Sequence, residues 1–109
     1  MYNAEEFSNE VSNFQEIAKE LLLKKNNDYS KHSHTFEIIN SIARSLHVQP
    51  VKVLVILFMK QVSALETYAV HGSLHDENIE SRLYDIANYA FLIWYKIKLE
   101  RLTNEDSSS

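Results

Sequence analysis

The fold is decided by the most apolar segment of the chain, residues 50–72, which reads PVKVLVILFMKQVSALETYAVHG. Its apolar residues recur at helical spacing over much of the circumference, which predicts a helix at the centre of its domain or against a partner chain. Pro50 suits the first turn of this helix, and Gly72 can supply the left-handed residue that ends it. They are the only proline and the only glycine in the sequence. Sheets joined by tight turns need more of both, so the sequence predicts an all-α protein.

Periodicity predicts three further helices. The first covers about residues 4–25 and ends at a polar loop, KKNNDYSKHSH, in which residues 26–34 are non-helical. The second is short and begins at Thr35, a suitable N-cap. The fourth covers about residues 77–101. Its expected core stripe consists of Ile79, Leu83, Ile86, Ala90, Ile93 and Ile97.

The amino-acid composition limits the class of protein that this chain can be. The 109 residues are 45% hydrophobic and 24% charged, which is typical of one globular domain. We expect that domain over residues 1–102 and a disordered tail over 103–109. The absence of cysteine excludes disulfides and thiolate chemistry, and the net charge of −4 disfavours bulk nucleic-acid binding. Neither a signal peptide nor a membrane span is predicted, so we expect a cytoplasmic protein.

The fourth helix has a polar face opposite its isoleucine stripe. At 100° per residue this face carries Glu77, Glu80, Ser81, Tyr84, Asp85 and Asn88. Such a face is ordinarily solvated, but its three acids have no lysine or arginine at i+4, so they repel one another unless something cationic lies there. Acids one helical turn apart can also hold Mg²⁺, which takes one or two carboxylates and fills its other positions with water and phosphate.

Three short blocks of the chain resemble a known family. They are KKNNDY after the first helix, FMKQVSAL late in the third, and ENIESRLYDIANYA at the start of the fourth. Together they resemble a phage-borne nucleotide-modification-associated family, related to the all-α nucleoside triphosphate pyrophosphohydrolases of MazG and dimeric dUTPase type. The resemblance covers about residues 21–97. Three positions depart from the family pattern, where glycine, arginine and aspartate are usual: Ser30, Ala64 and Ser81.

The resemblance implies a site as well as a fold. It implies three catalytic acids, Glu77, Glu80 and Asp85, of which Glu77 and Asp85 are Mg²⁺ ligands. It implies a ligand-binding set of Lys25, Asp28, Tyr29, Lys60 and Asn88. The departures weaken the case for catalysis more than that for binding, because phosphoryl transfer needs metal and water held to within fractions of an ångström.

Other interpretations of the same residues stay open. Asp28 can simply make a local turn, and Lys60 can be a surface lysine or can form an inward ion pair with Glu77 or Asp85. The five histidines raise the possibility of zinc, but HSH and HGSLH both lie in predicted loops, so neither is expected to present a His-x-x-x-His pair on one face of a helix.

The sequence therefore predicts a four-helix, MazG-like bundle completed by oligomerisation, because the third helix and the aromatic stretch 91–95 exceed what one small bundle can cover. Its expected ligand is a linear or cyclic phosphorylated nucleotide. Three functions fit: a Mg²⁺-dependent nucleotide pyrophosphohydrolase, a catalytically silent protein that sequesters a nucleotide signal of host antiviral defence, and a helical adaptor that inhibits a protein partner.

Overall fold

A computed structural model describes the backbone of residues 3–30, 35–72 and 78–108, and the side chains of residues 3–25, 36–72 and 78–103. These residues form four helices and no strand, which confirms the all-α prediction. The helices are α1 (Ala4–Ser30), α2 (Thr35–Leu46), α3 (Pro50–His71) and α4 (Ile79–Ser108). Helix α3 packs against α2 and α4, and α1 packs against α4 and α2.

The ends of α3 are those that the sequence predicts. Pro50 occupies the first turn after the N-cap residue Gln49. Gly72 has φ 76° and donates its backbone N–H to the Tyr68 carbonyl oxygen at 2.7 Å. A left-handed residue at this position is a common helix terminus, because it lets the next N–H groups return to the last free carbonyls.

A second left-handed residue ends α2. His47 has φ 57°, and the N–H of Val48 reaches the Ala43 carbonyl oxygen at 3.0 Å. This six-to-one hydrogen bond is the Schellman arrangement, in which the residue after the left-handed one commonly makes an apolar contact with the last turn. Val48 does so, because it packs against the core cluster that contains Ala43.

Helix α1 extends further than predicted. Residues 26–30, which we expected to begin a loop, continue the helix to Ser30, whereas residues 31–34 lie outside the described part of the chain. The stretch contains no glycine or proline, and asparagine and aspartate cost a helix only a few tenths of a kcal/mol each, so nothing in it forces the helix to stop. The predicted loop over 26–30 is therefore wrong.

Helix α4 begins at Ile79, where the Asn78 side-chain oxygen accepts the Glu80 N–H at 2.8 Å. It continues to Ser108, beyond the predicted end at Arg101. Free helix ends fray, so disorder of the tail over 103–109 stays a prediction.

The core is small and lies where α2, α3 and α4 meet. Its buried residues are Ile39, Ala43, Val53 and Leu54. From α4, Tyr89, Leu92 and Ile93 pack against this cluster.

The predicted core stripe of α4 is wrong in part. Of that stripe only Ile93 packs against the buried cluster, whereas Leu83 and Ala90 are exposed. Tyr89 and Leu92, which do pack against the cluster, lie about 80° and about 140° round the helix axis from the centre of that stripe. Helix α4 carries apolar residues on more than one side, so periodicity alone could not determine which side faces α3.

Helix α3 is, by length and composition alone, long and apolar enough to cross a membrane, with a mean hydropathy of 1.5. The core helix of a soluble protein passes the same test, but such a helix is mostly buried, whereas only 11% of this window is buried. The length and apolar composition of α3 do not distinguish a membrane from the interior of a soluble protein.

Candidate functional site

The polar face of α4 meets α1 at an ion pair. Lys25 Nζ lies 3.2 Å from Asp85 Oδ1, and 59% of the lysine side chain and 29% of the aspartate side chain are exposed. The acidic face was expected to need a cation, and at Asp85 that cation is the Lys25 ammonium group. Since the lysine is more than half exposed, water screens the pair and its contribution to folding is small.

Two further contacts attach α1 to the same face. Asn88 Nδ2 donates to the Ala18 backbone carbonyl oxygen at 3.0 Å, and the rings of Phe14 and Tyr84 lie 4.9 Å apart, centroid to centroid. The Ala18 carbonyl oxygen, which belongs to the backbone of α1, therefore accepts this side-chain hydrogen bond from α4. These contacts show that the part of the polar face formed by Tyr84, Asp85 and Asn88 is an interhelical surface, whereas Glu80 and Ser81 are exposed to solvent.

The ion pair stands at the rim of a cavity of about 200 Å³, which we call the central cavity. Four residues that line it carry polar groups, and they are Lys25, Asp85, Asn88 and Tyr89. The other walls are leucine and isoleucine side chains contributed by α1, α2, α3 and α4: Leu22, Ile38, Ile39, Ile42, Leu54, Leu57 and Leu92. An apolar cavity with a few polar groups at one side has the lining of a small-molecule site, but its volume is below the roughly 300–1,000 Å³ of most such sites, so it can enclose only part of a ligand.

The structure brings together three of the predicted site residues and leaves two apart. Lys25, Asp85 and Asn88 line one cavity although 60 residues separate the lysine from the aspartate. Lys60 is exposed on α3 and does not line the cavity, so the ion pair that we considered between Lys60 and Asp85 is replaced by one with Lys25. Glu80 is exposed in the first turn of α4, about 140° round the helix from Asp85.

The remaining predicted residues lie outside what the structure describes. These are Glu77 and the side chains of Asp28 and Tyr29. The backbone of Asp28 and Tyr29 belongs to α1, three and four residues beyond Lys25. Residues at that spacing share one side of a helix, so their positions follow Lys25 along the same side of α1.

The described acids and histidines do not fit the predicted Mg²⁺ site. Among them, no group of three His, Asp or Glu residues is arranged to hold a metal ion. Asp85 is already engaged by a lysine, and Glu80 points from a different sector of α4. The implied partner Glu77 lies outside the described residues, as do His32, His34 and His75 of the zinc interpretation. Both metal sites stay predictions, and no chemical step is derived through them.

Sequence reasoning missed the place of Tyr89 in the cavity wall. It also missed a direct link between α3 and α4, in which Arg82 Nη1 donates to Gln61 Oε1 at 2.7 Å. The signal was present in the spacing of residues 85, 88, 89 and 92, which forms an i, i+3, i+4, i+7 stripe in α4. The isoleucine stripe obscured it, because isoleucine is more apolar than aspartate or asparagine.

A second, open concavity of about 950 Å³ lies between α1 and α4, and we call it the α1–α4 groove. Val11, Phe14 and Ala18 of α1 and Phe91 of α4 line it, with Glu10 among its polar residues. Large apolar side chains here remain accessible to solvent, including Val11, Phe14 and Phe91.

No protein-family model, curated protein or solved structure matches the chain. The resemblance to the MazG-related family therefore remains a prediction that these comparisons neither support nor refute.

Proposed function

We propose that the protein binds a phosphorylated nucleotide in the central cavity, with Lys25 at the rim as the phosphate contact. The observation that carries this proposal is the convergence of Lys25, Asp85 and Asn88 on one apolar cavity. Three residues selected for nucleotide chemistry, from two separate blocks of the sequence, line one cavity. The leucine and isoleucine walls suit the base of the ligand, and the exposed ammonium group suits its phosphate.

The Lys25–Asp85 pair can open at low cost. An exposed ion pair contributes roughly 0–1 kcal/mol, so a phosphate with two negative charges can displace the Asp85 carboxylate from the lysine. Asp85 then lies beside the bound phosphate and selects against ligands with excess negative charge at that point. Positions 28 and 29 follow on the same side of α1, where the family resemblance also expects ligand contacts.

Binding without hydrolysis is favoured over pyrophosphohydrolase activity. A hydrolase of the resembled type needs several acids around one Mg²⁺, whereas Asp85 is paired with a lysine and Glu80 faces elsewhere. We therefore propose a sequestering protein of the phage type in the cytoplasm, with MazG-like helix packing completed by a second chain. The hydrolase is retained as the alternative that the same experiment tests.

Ligand binding is tested first by thermal unfolding with a panel of nucleotides and cyclic dinucleotides, each with and without Mg²⁺. A ligand at about 100 times its dissociation constant should add roughly 2.7 kcal/mol to the free energy of unfolding, which raises Tm by several degrees in a domain of this size. The incubated ligand is then analysed by chromatography. We expect it intact, and cleavage that depends on Mg²⁺ would establish the hydrolase instead.

The site is tested by Lys25→Met, with Lys24→Met as the matched control. Lys24 is the adjacent exposed lysine of α1 and does not line the central cavity. Lys25→Met should weaken nucleotide binding about tenfold or more, because a charge-assisted contact to phosphate is lost, while Lys24→Met stays within about twofold. Equal losses of nucleotide affinity in both variants would show that binding depends on the net charge of the chain and not on the position of Lys25, which would contradict the proposed site. If no nucleotide raises the Tm of the parent protein, the proposed function is wrong.

A further inference from the structure

The protein exposes more surface than a compact monomer of its mass. Its accessible area is 8404 Å² for 12.7 kDa, whereas the usual scaling gives roughly 6200 Å². Its radius of gyration is 16.9 Å, against roughly 13 Å for a compact chain of this length. A stable interface covers about 800 Å² on each partner, so the excess area is sufficient for one.

Large exposed apolar side chains lie on all four helices, and on α4 they include a cluster of three aromatic rings. Phe91, Trp94 and Tyr95 form a cluster with ring centroids 5.8–6.4 Å apart, and Trp94 remains 55% exposed. Phe91 also lines the α1–α4 groove, so this aromatic patch and the groove are continuous. Aromatic side chains already ordered by one another lose little entropy on binding, and they are enriched at interface hot spots.

The charges beside this surface are complementary within one sequence. The N-terminal half of α1 carries Glu5, Glu6, Glu10 and Glu16 and no lysine or arginine up to residue 18. Beyond the aromatic patch, α4 carries Lys96, Lys98 and Arg101, and Lys98 Nζ lies 5.2 Å from the centre of the Trp94 ring. In the part of the chain that the structure describes, these acids form no salt bridge with these bases.

We propose that a second copy of this chain covers this surface. The N-terminal half of α1 from each copy packs against the aromatic patch of the other, and its glutamates lie beside the basic residues that follow the patch. Such an interface is isologous, since the same contact is made twice around a two-fold axis. The α1–α4 groove shares Leu22 and Asn88 with the central cavity, but none of Phe91, Trp94 and Tyr95 lines that cavity, so substitutions in the aromatic patch test the assembly apart from nucleotide binding.

Sedimentation velocity of the purified chain over a concentration series tests the assembly. We expect a dimer, and Trp94→Ser should raise its dissociation constant about 30-fold, as for an aromatic hot spot. Ile56→Ser is the control, because Ile56 is exposed on α3 away from the patch. Circular dichroism checks that both variants keep their helices. A monomeric parent, or a Trp94→Ser variant that dimerises like the parent, overturns the proposal.

Reciprocal charge reversal tests the arrangement of the two chains. Glu10→Lys and Lys98→Glu should each weaken the homodimer roughly tenfold through like-charge contacts made twice. In an equimolar mixture of the two variants, a heterodimer brings opposite charges together at both contacts, so dimer should be restored. If the mixture dimerises no better than either variant alone, α1 of one copy does not lie on α4 of the other.

Discussion

Asn40 in α2 has a buried side-chain oxygen, Oδ1, that accepts no hydrogen bond in the described part of the chain. A buried acceptor without a partner costs about 1–3 kcal/mol, because it has lost water and gained nothing. Asn40→Leu, which has a similar shape, should therefore raise the free energy of unfolding by about 1 kcal/mol. Urea denaturation measures this, with Ser41→Leu on the exposed side of α2 as the control. A destabilised Asn40→Leu would mean that Oδ1 has a partner in solution.

The ion pair at the candidate site illustrates what can be predicted for single residues. The sequence indicated that the acids around Asp85 need a cation, because helical spacing fixes which side chains are neighbours within α4. It did not identify Lys25 as that cation, and the pairing we considered was with Lys60. The choice depends on how α1 crosses α4, and no pattern within either helix encodes that crossing.

Helix ends were predictable where a residue type enforces them. Pro50 and Gly72 mark the limits of α3 because proline lacks an N–H and glycine tolerates positive φ. The end of α1 was not predictable in this way, since asparagine, aspartate and serine permit helix as well as loop. The left-handed conformation of His47 was also not foreseen, because nothing in the residue type requires it.

The two left-handed helix ends give a paired prediction. His47→Gly should raise the free energy of unfolding by up to about 1 kcal/mol, because glycine adopts φ 57° without the steric cost that histidine bears. Gly72→Ala should lower it by about 1 kcal/mol. A Cβ at Gly72 would meet no atom within 4 Å, so that cost is purely conformational. Calorimetry of both variants measures the effects, and shifts of the same sign would contradict the explanation.

The stability of the whole molecule depends on very few side chains. Leu54 is 0% exposed, whereas Ile56, two residues further along α3, is 64% exposed. Leu54→Ala should cost about 2–5 kcal/mol, which is a large part of the usual 5–15 kcal/mol of a domain. Ile56→Ala should change stability by less than about 0.5 kcal/mol in the isolated chain. Chemical denaturation of both variants measures the difference, and equal losses would mean that α3 is covered on both sides.

The all-α class could be predicted from periodicity and from the scarcity of glycine and proline. Helix α3 contributes Val53 and Leu54 to the core, but Val55, Ile56 and Met59 beside them are exposed. The side of α4 that faces the core could not be predicted, because Tyr89 and Leu92 on one side compete with Ile79 and Ile86 on another. Which side of α4 is buried depends on how all four helices pack together. A chain with apolar residues on several helix faces leaves that choice open at the sequence level.

The small core also has an evolutionary consequence. Among the side chains that the structure describes, only Ile39, Ala43, Val53 and Leu54 form the buried cluster, and substitutions at exposed positions usually have little effect on stability. Selection for folding therefore acts strongly on few positions and weakly on the rest. Lineages of such a protein can diverge quickly in sequence while they keep the same helices, so a shared ancestry would be preserved in helix lengths and spacing long after residue identity is lost.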